Sequence, residues 1–217
     1  LNLSRKITFA VEKVKEKNKF SSEGLEGFDL FGKTIGIVGA GHIGQNVIKI
    51  ANGFGMKVIV FDTRPNAQLE NELNFKFVSF EDLLKNSDII TFHVPYLPAT
   101  HHMINKTNIS LIKKGAVLIN TARGAIIETE AVVEALSNGI LAGAALDVLE
   151  EETNLKNEKN LLLERELDDD DLRTVLENHV LIGMENVIVT PHNAFNSKEA
   201  LMRILDTTVA NILSLPN

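Results

Sequence analysis

Three glycines in the stretch GAGHIG, Gly39, Gly41 and Gly44, follow the apolar run TIGIV in a G-x-G-x-x-G spacing. Between a strand and a helix, that spacing suits the cradling of a pyrophosphate. Gly39 permits the tight turn, Gly41 lets the backbone approach the phosphates with no side chain in the way, and Gly44 lets the helix pack against the strand. The helix N-terminus then offers unpaired N–H groups and the positive end of its dipole. Asp62 closes the next apolar run, KVIVFD, near the roughly 20-residue spacing of a ribose-binding acid. A carboxylate there accepts hydrogen bonds from the adenine ribose and repels a 2′-phosphate, so NAD is expected over NADP, with Arg64 softening the rejection. His42, inside the loop, is read as a cofactor-facing spacer, because nothing in the mechanism calls on its imidazole.

The other candidates for chemistry also stand where apolar runs end. DIITF is followed by His93, Val94 and Pro95, and AVLIN by Thr121, Ala122, Arg123 and Gly124. LAGAALDV carries Asp147 and is followed by Glu150, Glu151 and Glu152, while VIVT leads into Pro191 and His192. In open α/β sheets ligands bind beyond the carboxyl ends of the strands, so these residues are expected to ring the crevice onto which the glycine loop opens. His192 either carries a proton there or plugs the end of a strand.

The elements that must position them alternate. Apolar strands are expected at 34–38, 57–61, 88–92, 116–120, 141–148 and 187–190. Helices are expected in GQNVIKIANGF, EDLLKNS, NISLIKKG, residues 128–138 and SKEALMRILDTTVANIL. Short Val/Ile-rich runs between amphipathic helices indicate parallel strands buried on both faces, an α/β doubly wound parallel sheet of the Rossmann type. Residues 3–17 predict a leading helix, with Ile7, Ala10, Val11 and Val14 on one face and Ser4 as N-cap. One segment, 153–183, breaks the alternation with a charged sequence that includes four consecutive Asp at 168–171. It reads as a solvated insertion whose acidic run starts a helix, where carboxylates suit the dipole, with His179 on the surface. Consecutive Asp side chains diverge, and His101-His102 lacks a third ligand at suitable spacing, so no metal site is expected.

Composition narrows the partners. The 217 residues are 44% hydrophobic and 24% charged, within the range of a globular protein. Aromatic content is 6% with no Trp, and the net charge is −7. The first leaves few stacking platforms for single-stranded nucleic acid, and the second argues against a polyanion partner and against an acidic membrane surface. The absence of Cys removes disulfides, thiolate metal sites and cysteine nucleophiles. No apolar run approaches the roughly 20 residues of a membrane span and no signal-peptide pattern opens the chain, so a cytoplasmic location is expected.

Taken in order, GAGHIG, HVPYLPAT, INTARGAIIETEAVVEAL, AALDVLEEE and VIVTPHNAF resemble the D-2-hydroxyacid dehydrogenases. The resemblance implies that Arg123 binds the substrate carboxylate and that His192 is the general acid–base, with Glu152 as its partner. It also implies cofactor contacts from Val94, Pro95, Thr100, Thr121, Ala122 and Asp147, with His42 and Ile43 near the pyrophosphate. That chemistry is coherent. Arginine offers a planar fork for a carboxylate, histidine exchanges a proton near neutral pH, and a neighbouring carboxylate orients it. Glu150 or Glu151 could replace Glu152 if the chain register differs.

Family members also carry a substrate-binding domain that has no recognisable counterpart in this chain. Residues 1–217 are therefore expected to be a single nucleotide-binding domain of a longer enzyme, with 1–30 as interdomain-type helix and linker and 153–185 as charged insertion. The resemblance further implies a 2-oxo or 2-hydroxy acid substrate and a homodimer, for which the helix at 196–214 and the region 100–115 are candidate surfaces. PHNAFNS, with Phe195, is closer to the lactate-dehydrogenase-like branch. The alternative is a non-catalytic NAD(H)-sensing module like the corepressor relatives of the same fold.

Overall fold

The computed structural model describes residues 1–16, 18–153 and 169–214. Its strands are β1 Thr34–Val38, β2 Lys57–Phe61, β3 Lys76–Phe77, β4 Ile89–Phe92, β5 Ala116–Asn120, β6 Leu141–Leu146 and β7 Val187–Val189. They form one seven-stranded sheet in the order β3-β2-β1-β4-β5-β6-β7, parallel throughout. The helices are α1 Asn2–Arg5, α2 Ile7–Lys15, α3 His42–Gly53, α4 Ala67–Leu73, α5 Phe80–Asn86, α6 Thr129–Ser137, α7 Asp169–Gly183 and α8 Lys198–Leu213.

Strand residues alternate between the two faces of the sheet, and both faces are covered. Ile37 packs with Ile35, Ile48, Val58 and Val60 on one side. Its neighbour Val38 packs with Leu83, Leu84, Ile90 and Phe92 on the other. Each fully buried aliphatic side chain contributes roughly 1.5–3 kcal/mol, which is why the runs are apolar without a break. Strand order reverses between β1 and β4, so a crevice opens at their carboxyl ends, where the polar residues were expected to gather.

Four local expectations change. The helix over 3–17 breaks at Lys6, which adopts a left-handed conformation with φ 49°. Ser4 is not an N-cap; it is buried, and its hydroxyl donates to Leu1 O. The break holds because Asn2 bridges it, donating to Thr8 Oγ1 at 2.7 Å and accepting from Thr8 N at 2.9 Å. The helix over NISLIKKG shrinks to one 3₁₀ turn, Ile109–Leu111. There Asn105 and Asn108 bond nearby backbone, at His102 O and at Met103 O and Asn105 N, a competition that disfavours helix. Between β2 and α5 the chain adds α4 and the two-residue β3. Asn66 caps α4 by accepting from Gln68 N and Leu69 N. Finally, α3 begins at His42 rather than Gly44.

Within the charged segment, the end of the acidic run begins α7 and His179 is exposed, as expected. Asp168 lies outside the described residues. Helix α7 packs on α6 and β7 and buries Val175, Asn178 and Leu181, so this part of the insertion belongs to the body of the domain. In contrast, α8 buries no residue and is exposed at every position but the half-buried Ala200.

Candidate active site

The glycine loop meets its steric requirements one residue at a time. Gly39 has φ 99°, and a Cβ there would stand 2.6 Å from His93 O. A Cβ on Gly44 would stand 2.0 Å from Gly39 O, so α3 can sit this close to β1 only without it. Gly41 differs, since a Cβ there meets nothing within 4 Å. It is the N-cap of α3, and no side chain caps that helix end. An uncapped helix N-terminus with open space before it fits an anionic group. Asp62 stands just past β2, and its Oδ2 accepts from Ala40 N at 2.8 Å while Oδ1 accepts from Arg64 N at 2.9 Å. The carboxylate is thereby held against the glycine loop, where ribose hydroxyls can reach its remaining lone pairs. Ile43 and His42 are exposed in the first turn of α3.

Beyond the strand ends lies a crevice of about 720 Å³. Its walls are Ile43, the segments 93–96, 121–125 and 148–153, and His192. Val94, Pro95, Thr121, Ala122, Arg123, Glu152 and His192 therefore share one cavity, as does Tyr96, which the sequence reading missed. Thr100 is not part of the wall. Its hydroxyl serves its own turn, donating to Pro95 O and accepting from Leu97 N.

Each polar wall residue has a local cause. After β5, buried Asn120 folds the turn, accepting from Ala122 N at 3.0 Å and donating to Arg123 O at 2.8 Å. Arg123 is left exposed at the rim, with Nη1 on Ala122 O. A Cβ on Gly124 would stand 2.1 Å from Leu149 C, so the loops after β5 and β6 cross in direct contact. After β7, the buried Asp147 carboxylate accepts from Thr190 Oγ1, Asn193 N and Ala194 N. Burial pushes Asp147 up, but those hydrogen bonds and the neighbouring His192 together hold it below its ordinary value. The same turn holds His192 at φ 53°, with its N–H on Asp147 O and Thr190 O. A non-glycine residue in that region is strained, and such strain gathers at functional positions.

His192 Nδ1 and Glu152 Oε1 lie 2.8 Å apart. An ionised carboxylate only accepts, so Nδ1 carries the proton in this pair. Of the three consecutive glutamates, Glu152 is placed against His192. Glu150 faces elsewhere: its Oε2 accepts from Thr129 N and Oγ1, and its Oε1 lies 2.6 Å from His102 Nε2. His93, though it stands at a strand end, is a supporting residue. Its N–H donates to Val38 O, Nε2 lies 3.0 Å from Thr91 Oγ1, and burial lowers its pKa to about 4. Among the described residues no cluster of three or more His, Asp or Glu could hold a metal ion, and no helix is long and apolar enough to cross a membrane.

Sheet order and glycine cradle together define a dinucleotide-binding domain of Rossmann type. The model of the family described as "D-isomer specific 2-hydroxyacid dehydrogenase, NAD binding domain" matches residues 1–194, and the chain belongs to that family. It is 40% identical over 213 residues to a 2-hydroxyacid dehydrogenase homolog of Zymomonas mobilis, covering 98% of this chain and 62% of that protein. It is 36% identical over 218 residues to the D-lactate dehydrogenase of Escherichia coli, covering 99% of this chain and 62% of that one. The solved structure of D-lactate dehydrogenase from Aquifex aeolicus, complexed with NAD and lactic acid, matches with a TM-score of 0.85 at 35% identity. That match covers 98% of this chain and 62% of the other. The chain thus spans about 60% of the length of these relatives.

Proposed function

We propose that this chain is the cofactor-binding domain of an NAD-dependent dehydrogenase that interconverts a 2-oxo acid and a D-2-hydroxy acid. The glycine loop and the N-terminus of α3 hold the pyrophosphate, and Asp62 holds the adenine ribose. When bound, NADH supplies the hydride that adds to the carbonyl carbon. Arg123 anchors the substrate carboxylate through its guanidinium fork. His192, with Nδ1 facing Glu152, gives the proton on Nε2 to the carbonyl oxygen and takes it back in the oxidation. Glu152 keeps the ring in that orientation and stabilises its protonated form. Phe195, edge-on to the His192 ring at 6.0 Å between centroids, adds an apolar face beside the couple.

The observation that carries this reading is the His192–Glu152 pair in the crevice that also holds Arg123. A module that only senses NAD(H) needs the cradle but has no use for an acid–base couple beside an arginine. A substrate among the 2-oxo acids is supported by the relatives named D-lactate dehydrogenase and aromatic 2-oxoacid reductase. The test is His192→Gln in the intact protein: reduction of pyruvate and phenylpyruvate is expected to fall by about 10²–10⁴-fold with NADH binding retained. Undiminished turnover in that variant would sink the assignment. We further propose that the protein works as a homodimer, to be checked by sedimentation equilibrium.

A further inference from the structure

Glu152 reaches His192 from a loop of three consecutive glutamates, and the residue two positions earlier holds that loop in place. The Glu150 carboxylate is bound at the start of α6 by Thr129 N at 2.8 Å and Thr129 Oγ1 at 2.7 Å, and it faces His102 Nε2 at 2.6 Å. The Glu150 backbone carbonyl accepts from Asn178 Nδ2 at 2.7 Å. Asn178 lies on α7, within the charged segment that reads as a solvated insertion, yet it is 0% exposed. Its Oδ1 has no hydrogen-bond partner among the described residues. A buried amide with one atom unpaired is destabilising, and an apolar side chain of the same size would avoid that cost. What such a side chain could not do is hold the Glu150 carbonyl.

We propose that Asn178 is a positioning residue for the Glu152–His192 couple, acting through the backbone of Glu150. The inserted helix α7 then belongs to the acid–base machinery: it fixes one side of the loop whose other sides are fixed by Thr129 and His102. The proposal rests on the reading that Glu152 and His192 move the proton, and adds which element aims them.

The test is Asn178→Leu in the intact protein, which keeps the volume and removes the donor. Amide hydrogen exchange across residues 149–152 is expected to quicken about tenfold as the loop opens locally. The kcat for 2-oxo acid reduction is expected to fall about tenfold or more while the NADH dissociation constant stays within about twofold, the pattern of a group aligned for the transition state and not for the cofactor. Leu181→Ala loosens the same helix from its apolar side and is expected to lower the melting temperature without that pattern. Should Asn178→Leu fail to fold, Asn178→Ser, polar but too short to reach, is read by the same measurements. Unchanged exchange and kcat in the Asn178 variant overturn the proposal. Equal effects from Leu181→Ala also overturn it, because they make α7 a structural support only. A parent protein without turnover defeats the dehydrogenase reading instead, and the exchange comparison then decides the role of Asn178 alone.

Discussion

Glu152 Oε1 lies 2.8 Å from His192 Nδ1 across 40 positions of chain. The two arrive from separate strand ends, β6 and β7, and the buried carboxylate of Asp147 joins those ends by bonding Thr190, Asn193 and Ala194.

Glu152→Gln keeps an oxygen acceptor for Nδ1 but removes the charge that favours the imidazolium. In the intact protein kcat is expected to drop roughly 10- to 100-fold, corresponding to about 1.5–3 kcal/mol for a hydrogen bond to a charged group. NADH binding should hold, because the Glu152 carboxylate is engaged with His192. Steady-state kinetics beside a fluorescence titration checks both; full activity in the variant removes Glu152 from the mechanism.

Arg123→Lys retains the charge and loses the planar fork. The KM for the oxo acid is expected to rise roughly 10- to 100-fold, because a lysine cannot pair bidentately with a carboxylate. Stability should stay within about 0.5 kcal/mol of the parent, as for an exposed position away from packed features. An unchanged KM would place the carboxylate anchor on another residue.

The two glycines of the cradle should separate folding from binding. At Gly41 a methyl meets nothing within 4 Å, so Gly41→Ala is expected to leave the melting temperature alone and to weaken NADH binding about tenfold or more by standing in the path of the pyrophosphate. At Gly44 a methyl would stand 2.0 Å from Gly39 O, so Gly44→Ala is expected to destabilise the domain by about 1–3 kcal/mol as well. Thermal melts and NADH titrations of both variants make the comparison. Equal melting losses would contradict the assignment of Gly41 to the ligand side.

His93 makes stability depend on pH. Burial lowers it from its ordinary 6.5 to about 4 in the folded chain. Between those values the unfolded chain binds a proton that the folded chain refuses, so unfolding gains ground as the pH falls. The contribution is complete above about pH 6.5 and is lost toward pH 4, a change on the order of 3 kcal/mol. Urea unfolding at pH 7, 6 and 5 should show the decline, and His93→Gln should flatten it. Asp147 is held below the ordinary carboxylate range, so its contribution is lost at lower pH, as that carboxylate protonates. A decline that persists in His93→Gln assigns the effect to other groups.

Much of this architecture is visible in the chain itself. Ile35, Ile37, Ile90 and Leu118 sit in unbroken apolar runs because parallel strands are buried on both faces, and Gly39 and Gly44 are legible because no other residue fits those contacts. Elements of marginal local preference were not legible. The turn at 109–111 lost its helix to the side chains of Asn105 and Asn108. The strand β3 is two residues long and holds no period to read. Ser4 looked like a cap, but the chain turns left-handed at Lys6 and the Ser4 carbonyl accepts from Phe28 N. Asn120 and Asn178 carried no signal, since their partners are backbone groups brought near by other elements.

From the sequence alone came the class of fold, the dinucleotide cradle, the family resemblance and a short set of candidate side chains at the strand ends. These depend on local period and local sterics, which a chain carries with it. Which of three glutamates faces His192, and that an acidic insertion reaches the loop between them, only the tertiary structure decided. Both depend on loops crossing at Gly124 and Leu149 and on a buried amide meeting a distant carbonyl. Contacts of that kind form between strand ends far apart in the chain and are set by packing, not by neighbouring residues.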